Sequence, residues 1–136
     1  MSYYPQRPVR SFQDLEVYQK MLAISVLIVK RIPVNHTNPM TGLLNDNALR
    51  LPLKIATSHS LRFSDQQKAI DILEDAMLSC NVLVVYLEQY RDIYNTEIES
   101  AFFEEQIKNL LITRRKIMHL QMSWRKFMEK KQEKQN

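Results

Sequence analysis

One glycine in 136 residues, Gly42, is the strongest constraint on what this chain can fold into. Ordinary usage is about 7%. The tight turns that join neighbouring strands favour backbone angles that glycine adopts without steric cost. A chain nearly without glycine is poorly suited to a sheet with frequent sharp turns, so long helices are expected. Apolar residues at 45% and charged residues at 25% suit a single globular domain with its own core. The expected class is all-α.

The apolar pattern divides the chain into four helices. Residues 1–10 hold Pro5, Pro8, two tyrosines and two arginines, and read as an extended N-terminal arm. Ser11 fits an N-cap, with Asp14 at the third helical position. The first helix is expected over about 12–31, along a stripe of Phe12, Leu15, Tyr18 or Gln19, Leu22, Val26 and Val29. Residues 21–29 are apolar nearly all round, which predicts burial on more than one side. Pro33 and the polar segment 35–39 end this helix.

A second helix, about 41–60, spaces Leu44, Ala48, Leu51 and Ile55 at helical intervals, and Pro52 is expected to kink it. A capping box from Ser64 to Gln67 opens the third. That helix carries two adjacent seams. One is Ile70, Leu73, Met77, Cys80, Val84 and Leu87; the other is Ala69, Ile72, Ala76, Ser79, Leu83, Tyr86, Tyr90 and Ile93. One seam fills a bundle core, and the second predicts a subunit interface. Thr96 with Glu99 repeats the capping box and opens the fourth helix. Its apolar face runs through Phe103, Ile107, Leu110, Ile117, Leu120 or Gln121, Trp124, and Phe127 or Met128. Residues 129–136 read as a disordered basic tail. Short connections between four helices predict an antiparallel up-down-up-down four-helix bundle over residues 11–128.

Charge is unevenly placed. The chain as a whole is +4, but residues 108–136 carry nine bases against Glu129 and Glu133, a net +7, which leaves −3 on the rest. This excess points to an anion-binding strip on the fourth helix, with nucleic acid, RNA or DNA, as the partner. Arg114, Arg115, Lys116, Arg125, Lys126 and Lys130 are the expected contact residues. The bland alternative is a solvated cationic face with Trp124 and Phe127 packed inward. A helix lying on a membrane surface fits less well, because the caps and the regular apolar stripe point to bundle packing.

No catalytic constellation is evident. His36, His59 and His119 form no metal-spaced pair, and no Glu-x-x-His of the di-iron bundles occurs. One glycine cannot build a phosphate-binding loop. Cys80 lies on an apolar seam, where a buried packing role outweighs a nucleophilic one. His36 reads as a loop residue, His119 as a residue among cations, and Glu104 with Glu105 as a solvated face. Neither a metal nor a cofactor is expected, and the protein reads as a non-enzyme. One cysteine has no internal partner for a disulfide, and the longest apolar run is far short of a membrane span, so a cytoplasmic location is expected.

The stretch FQDLEVYQK, residues 12–20, resembles the opening signature of the bacterial four-helix bundle family first noticed as proteins encoded within 23S ribosomal RNA intervening sequences. That signature is Phe-x-x-Leu-x-Val-aromatic-Gln-Lys, matched by Phe12, Leu15, Val17, Tyr18, Gln19 and Lys20. RIPVNH, residues 31–36, is similar to the family's exit from the first helix. LPLKIA, residues 51–56, is similar to its second-helix segment through Pro52, Ile55 and Ala56. The chain departs from the pattern at Thr57 and Ser58, where the family has Glu-Gly, and at residues 75–77, where it has Gly-Ser. Ile32-Pro33 with nearby His36, the lost glycines, and Ser123-Trp124 before a basic tail are similar to one branch, the accessory variability determinants of diversity-generating retroelements. The resemblance implies a homopentameric ring of four-helix bundles whose cationic surface binds the element's reverse transcriptase and RNA. The competing expectation is a protein–protein assembly module that binds no nucleic acid.

Overall fold

The structure is a computed structural model that describes residues 11–94 and 97–135. The expected arm, residues 1–10, lies outside the described residues. Four helices follow one another: α1 (Glu16–Arg31), α2 (Pro39–Leu61), α3 (Gln66–Ile93) and α4 (Ser100–Gln135). A single 3-10 turn, Phe12–Asp14, precedes α1, and there is no strand among the described residues. Each helix packs on its chain neighbours, and α4 closes back on α1, while the backbones of the diagonal pairs stay apart. The contacts run in opposite directions along each adjacent pair. Ser58 near the end of α2 bonds to the Ala69 carbonyl at the start of α3. Gln121 late in α4 bonds to the Ile70 carbonyl early in α3. Arg31 at the end of α1 pairs with Glu99 just before α4 at 2.9 Å. The architecture is the expected antiparallel four-helix bundle.

The local signals account for most boundaries. Ser11 Oγ accepts from the Gln13 backbone N–H at 3.2 Å, and the Asp14 carboxylate accepts from the Ser11 backbone N–H at 3.4 Å. This reciprocal cap serves the 3-10 turn, so the α-helix begins later than the expected Phe12. Leu15 is extended between the turn and Glu16. Asn38 caps α2 through its side chain, with Pro39 at the first helical position, where its missing N–H costs nothing. The helix then runs unbroken past the buried Pro52. Asp65, not Ser64, caps α3, accepting from the Lys68 N–H at 3.2 Å. The start of α4 at Ser100 falls later than a Thr96 cap would place it, and Thr96 itself lies outside the described residues. The Glu99 carbonyl accepts the Phe102 N–H there.

Three expectations are corrected by the packing. The α1 stripe is rotated: Val17, Met21, Ile24, Ser25 and Ile28 are buried, while Leu22 and Val26 face out. A helix apolar nearly all round offers no unique phase from sequence, and the 3-10 turn takes Phe12 out of the α-helical register. Second, both α3 seams are covered inside one protomer. Ala69, Ala76 and Leu83 are as buried as Leu73, Cys80 and Leu87, and Ile72, Tyr86 and Tyr90 are half-buried, because α3 is flanked by both α2 and α4. The second seam is therefore not a free interface, although its end at Ile93 is exposed. Third, residues 129–135 are helical rather than disordered. All of them are Glu, Lys or Gln, which are strong helix formers, and they extend a helix already nucleated by the bundle.

The core is continuous, from Leu15 and Ile32 at the α1 ends through Leu44, Leu51, Ile55, Leu73 and Leu87 to Phe103, Leu110 and Ile117. Two of its polar members tie helices together, while the buried Gln106 Oε1 has no hydrogen-bond partner among the described residues. Asn45 donates to the Ile32 and Thr41 carbonyls at 2.6 and 2.7 Å, which ties α2 to the C-cap of α1. Gln121 bonds Glu74 at 2.8 Å as well as the Ile70 carbonyl. Such buried bonds fix helix register, because breaking one strands a polar group away from water.

Candidate nucleic-acid interface

Helix α4 is the longest element, 36 residues. At 1.5 Å per residue it spans about 54 Å, against about 24 Å for α1. Its inner face follows the 3.6-residue period through Phe103, Gln106, Leu110, Thr113, Ile117 and Gln121, all buried. The alternatives left at the end resolve toward Gln121 and Met128: Gln121 is buried, Met128 is half-buried, and Phe127 points outward. Trp124 is half-buried, its ring 6.5 Å from that of His59 near the end of α2. Past Met128, residues 129–134 are all exposed, so the helix outruns the bundle that supports it.

The six expected contact residues fall into three environments. Arg115, Lys126 and Lys130 are exposed on the outward side of α4, opposite the buried stripe, with Lys108 and His119. Lys126 and Lys130 line one shallow hollow with His119, Met122, Ser123 and Phe127. Arg114 and Arg125 lie toward α3. They border an open groove of about 800 Å³ whose other bank is Asp71, Glu74 and Asp75. Arg114 is half-buried there, and its Nε is enclosed without a hydrogen-bond partner among the described residues. Lys116 turns the other way, toward α1, and bonds the Glu16 carboxylate. That contact lowers the Glu16 pKa and raises the Lys116 pKa, each by favouring its charged form. The structure thus divides the six expected residues. Three of the six share a free face, two border an acidic groove, and one is already paired.

The outward face is also less purely basic than its charge count implies. Leu111, Ile112, Met118 and Met122 are exposed among the cations. Sequence reasoning missed Arg62 and Phe63 at the α2–α3 turn. Phe63 is 67% exposed, with the Arg62 guanidinium 4.2 Å above its ring. The signal available was an arginine and an aromatic beside a helix cap, but such a pair fits a buried turn as readily as an exposed one.

The groups considered for chemistry sit as follows. Cys80 is fully buried, and burial pushes its thiol up to about 12, so it is protonated at neutral pH. His36 and His119 are exposed. His59 is buried and its pKa is lowered, first by desolvation and then by the Arg62 charge. Glu104 and Glu105 are exposed. Among the described residues no group of three or more His, Cys, Asp or Glu side chains is placed to hold a metal ion. None of the helices is long and apolar enough, over those residues, to cross a membrane.

The fold defines the class, an all-α four-helix bundle with one extended basic helix. No family model, curated protein or solved structure matches the chain.

Proposed function

We propose that this protein is an oligomeric scaffold that binds nucleic acid through the outward face and overhanging end of α4, and that it acts by binding rather than by catalysis. The observation that carries this reading is the state of the cations there. Arg115, Lys126, Lys130, Lys131 and Lys134 are exposed, and none has an ion-pair partner among the described residues. Elsewhere Arg31, Arg50, Lys54 and Arg91 are each paired with a carboxylate. A row of unpaired cations on a rigid rod attracts a polyphosphate and releases its counterions. Assembly of copies is supported by apolar side chains that one protomer leaves in water: Leu22 and Val26 on α1, Leu49 and Leu53 on α2, Leu78 and Val85 on α3. A ring of copies, a pentamer on the branch resemblance of Ile32-Pro33, His36, the lost glycines and Ser123-Trp124, would multiply weak phosphate contacts by raising effective concentration. The same resemblance supports a reverse transcriptase as the protein partner and a retroelement accessory role.

The test is charge reversal guided by the three environments. Arg115→Glu, Lys126→Glu and Lys130→Glu together should lower RNA or DNA retention on a filter by at least about a hundredfold at moderate salt. Helicity and molar mass by light scattering should stay those of the wild type. Wild-type binding by the folded triple variant would refute the interface, and no retention of RNA or DNA by the wild type would favour a protein–protein assembly module. The paired Lys116 serves as an internal control, since Lys116→Gln should leave binding nearly unchanged.

A further inference from the structure

Beside the basic face, where α4 passes the α2–α3 turn, lies a cleft of about 220 Å³ lined by Arg62, Phe63, Gln66, Ser123, Trp124 and Phe127. Three of its six residues are aromatic. Phe63 is 67% exposed and Phe127 is 55% exposed, in a chain that buries Phe102 and Phe103. The cleft is held from behind. The Arg62 guanidinium donates to the His59 carbonyl at 2.8 Å and lies over the Phe63 ring, and buried His59 stands beside Trp124. On the outer side Phe127 also lines the hollow that holds Lys126 and Lys130. Rings and unpaired cations therefore meet at one place.

From this juxtaposition we infer that the cleft receives an unpaired base of a single nucleic-acid strand, with Lys126 and Lys130 on the adjoining phosphates. The inference rests on the nucleic-acid reading of α4 and specifies it: a single strand in preference to a duplex. Proteins that hold single strands combine a cationic track with aromatic platforms, because every base has a stacking face that only an unpaired strand exposes. Charge complementarity selects this occupant over an apolar side chain. Arg62 borders the cleft, Lys126 and Lys130 adjoin it, and no Asp or Glu lines it. Gln66 and Ser123 supply hydrogen-bonding groups at its edge. The acid-banked groove between α3 and α4 lacks this character, since Asp71, Glu74 and Asp75 would repel a phosphate chain.

Trp124 is the one tryptophan of the chain, so its emission reports on the cleft alone. Full-length protein is titrated with a short unstructured RNA strand and, separately, with a blunt duplex of the same sequence. The strand should quench Trp124, and the duplex should leave it nearly unchanged. The double variant Phe63→Ala, Phe127→Ala removes two exposed rings, so the fold is retained. It should bind the strand about ten- to a hundredfold more weakly. Its affinity for the duplex should change by less than about twofold, because the phosphate contacts remain. Phe63→Tyr with Phe127→Tyr keeps both platforms and should bind as the wild type does. The inference stands only if quenching and selective loss occur together. Salt-dependent binding of the strand with neither effect would overturn the stacking site and leave the α4 interface standing. Binding of neither probe would overturn both. A double variant that loses molar mass in light scattering, with RNA affinity unchanged, would assign the cleft to a second copy of the chain and overturn the inference.

Discussion

Residues 100–121 of α4 and residues 122–135 of the same helix differ in what holds them. The first segment is fixed by its neighbours: Phe103 is 1% exposed, Leu110 and Ile117 are fully enclosed, and Lys116 is paired across to Glu16. The second has only Trp124 and Met128 leaning on the bundle, and its cations have no partner among the described residues. Both segments have the composition of a good helix, yet only the first owes its conformation to burial. Where packing ends, the side chains are free to serve something outside the chain. Stability and binding therefore belong to different stretches of one rod.

Two phenylalanines on that helix measure the difference between the segments. Phe103→Ala should cost about 3–5 kcal/mol in chemical denaturation, because it empties a packed site. Phe127→Ala should cost less than about 0.5 kcal/mol, since a mostly exposed ring leaves no cavity. Equal losses would mean that the two segments are held alike. A smaller effect is expected from removing residues 129–136. Folding free energy should move by less than about 0.5 kcal/mol, since residues 129–134 are all exposed. Affinity for RNA should fall severalfold, and the salt slope should shrink by about 0.7 for each phosphate that the shortened helix no longer reaches.

The smallest effect concerns pH and belongs to the junction of the two segments, where His59 meets Trp124. Burial lowers the His59 pKa in the folded protein, while the unfolded chain keeps the ordinary value of 6.5. Below that value the unfolded state binds more protons, so stability falls as pH drops from about 6.5 and levels off under the lowered folded value. His59→Gln should flatten this dependence in denaturation curves recorded across that range. An unchanged slope would show that the junction is open to water.

Much of the fold is legible in the sequence for reasons that are local. The scarcity of glycine and the Ser11–Asp14 box act through the local backbone: the described residues hold no strand, and the box is formed. What was not legible depends on partners. The phase of α1 could not be read, because Leu22 and Val26 are as apolar as Met21 and Ile28, and only the position of α2 and α4 selects between them. Both α3 seams looked like a surplus because a helix flanked on two sides needs two seams, and flanking is a tertiary fact. The candidate site shows the same limit. A wheel of α4 places its cations by angle, but it cannot see Glu16 across the gap at Lys116 or the acidic bank opposite Arg114 and Arg125. Phe63 was invisible as a surface ring because exposure at a turn is set by how the neighbouring helices meet.

The central claim is that unpaired cations on α4 hold a polyanion. The direct measurement is the affinity of the wild-type protein for a short RNA strand across a series of salt concentrations. Three to five contacts predict that log affinity falls linearly with log salt, with a slope of about −2 to −4. A flat line, or no binding at low salt, would contradict it.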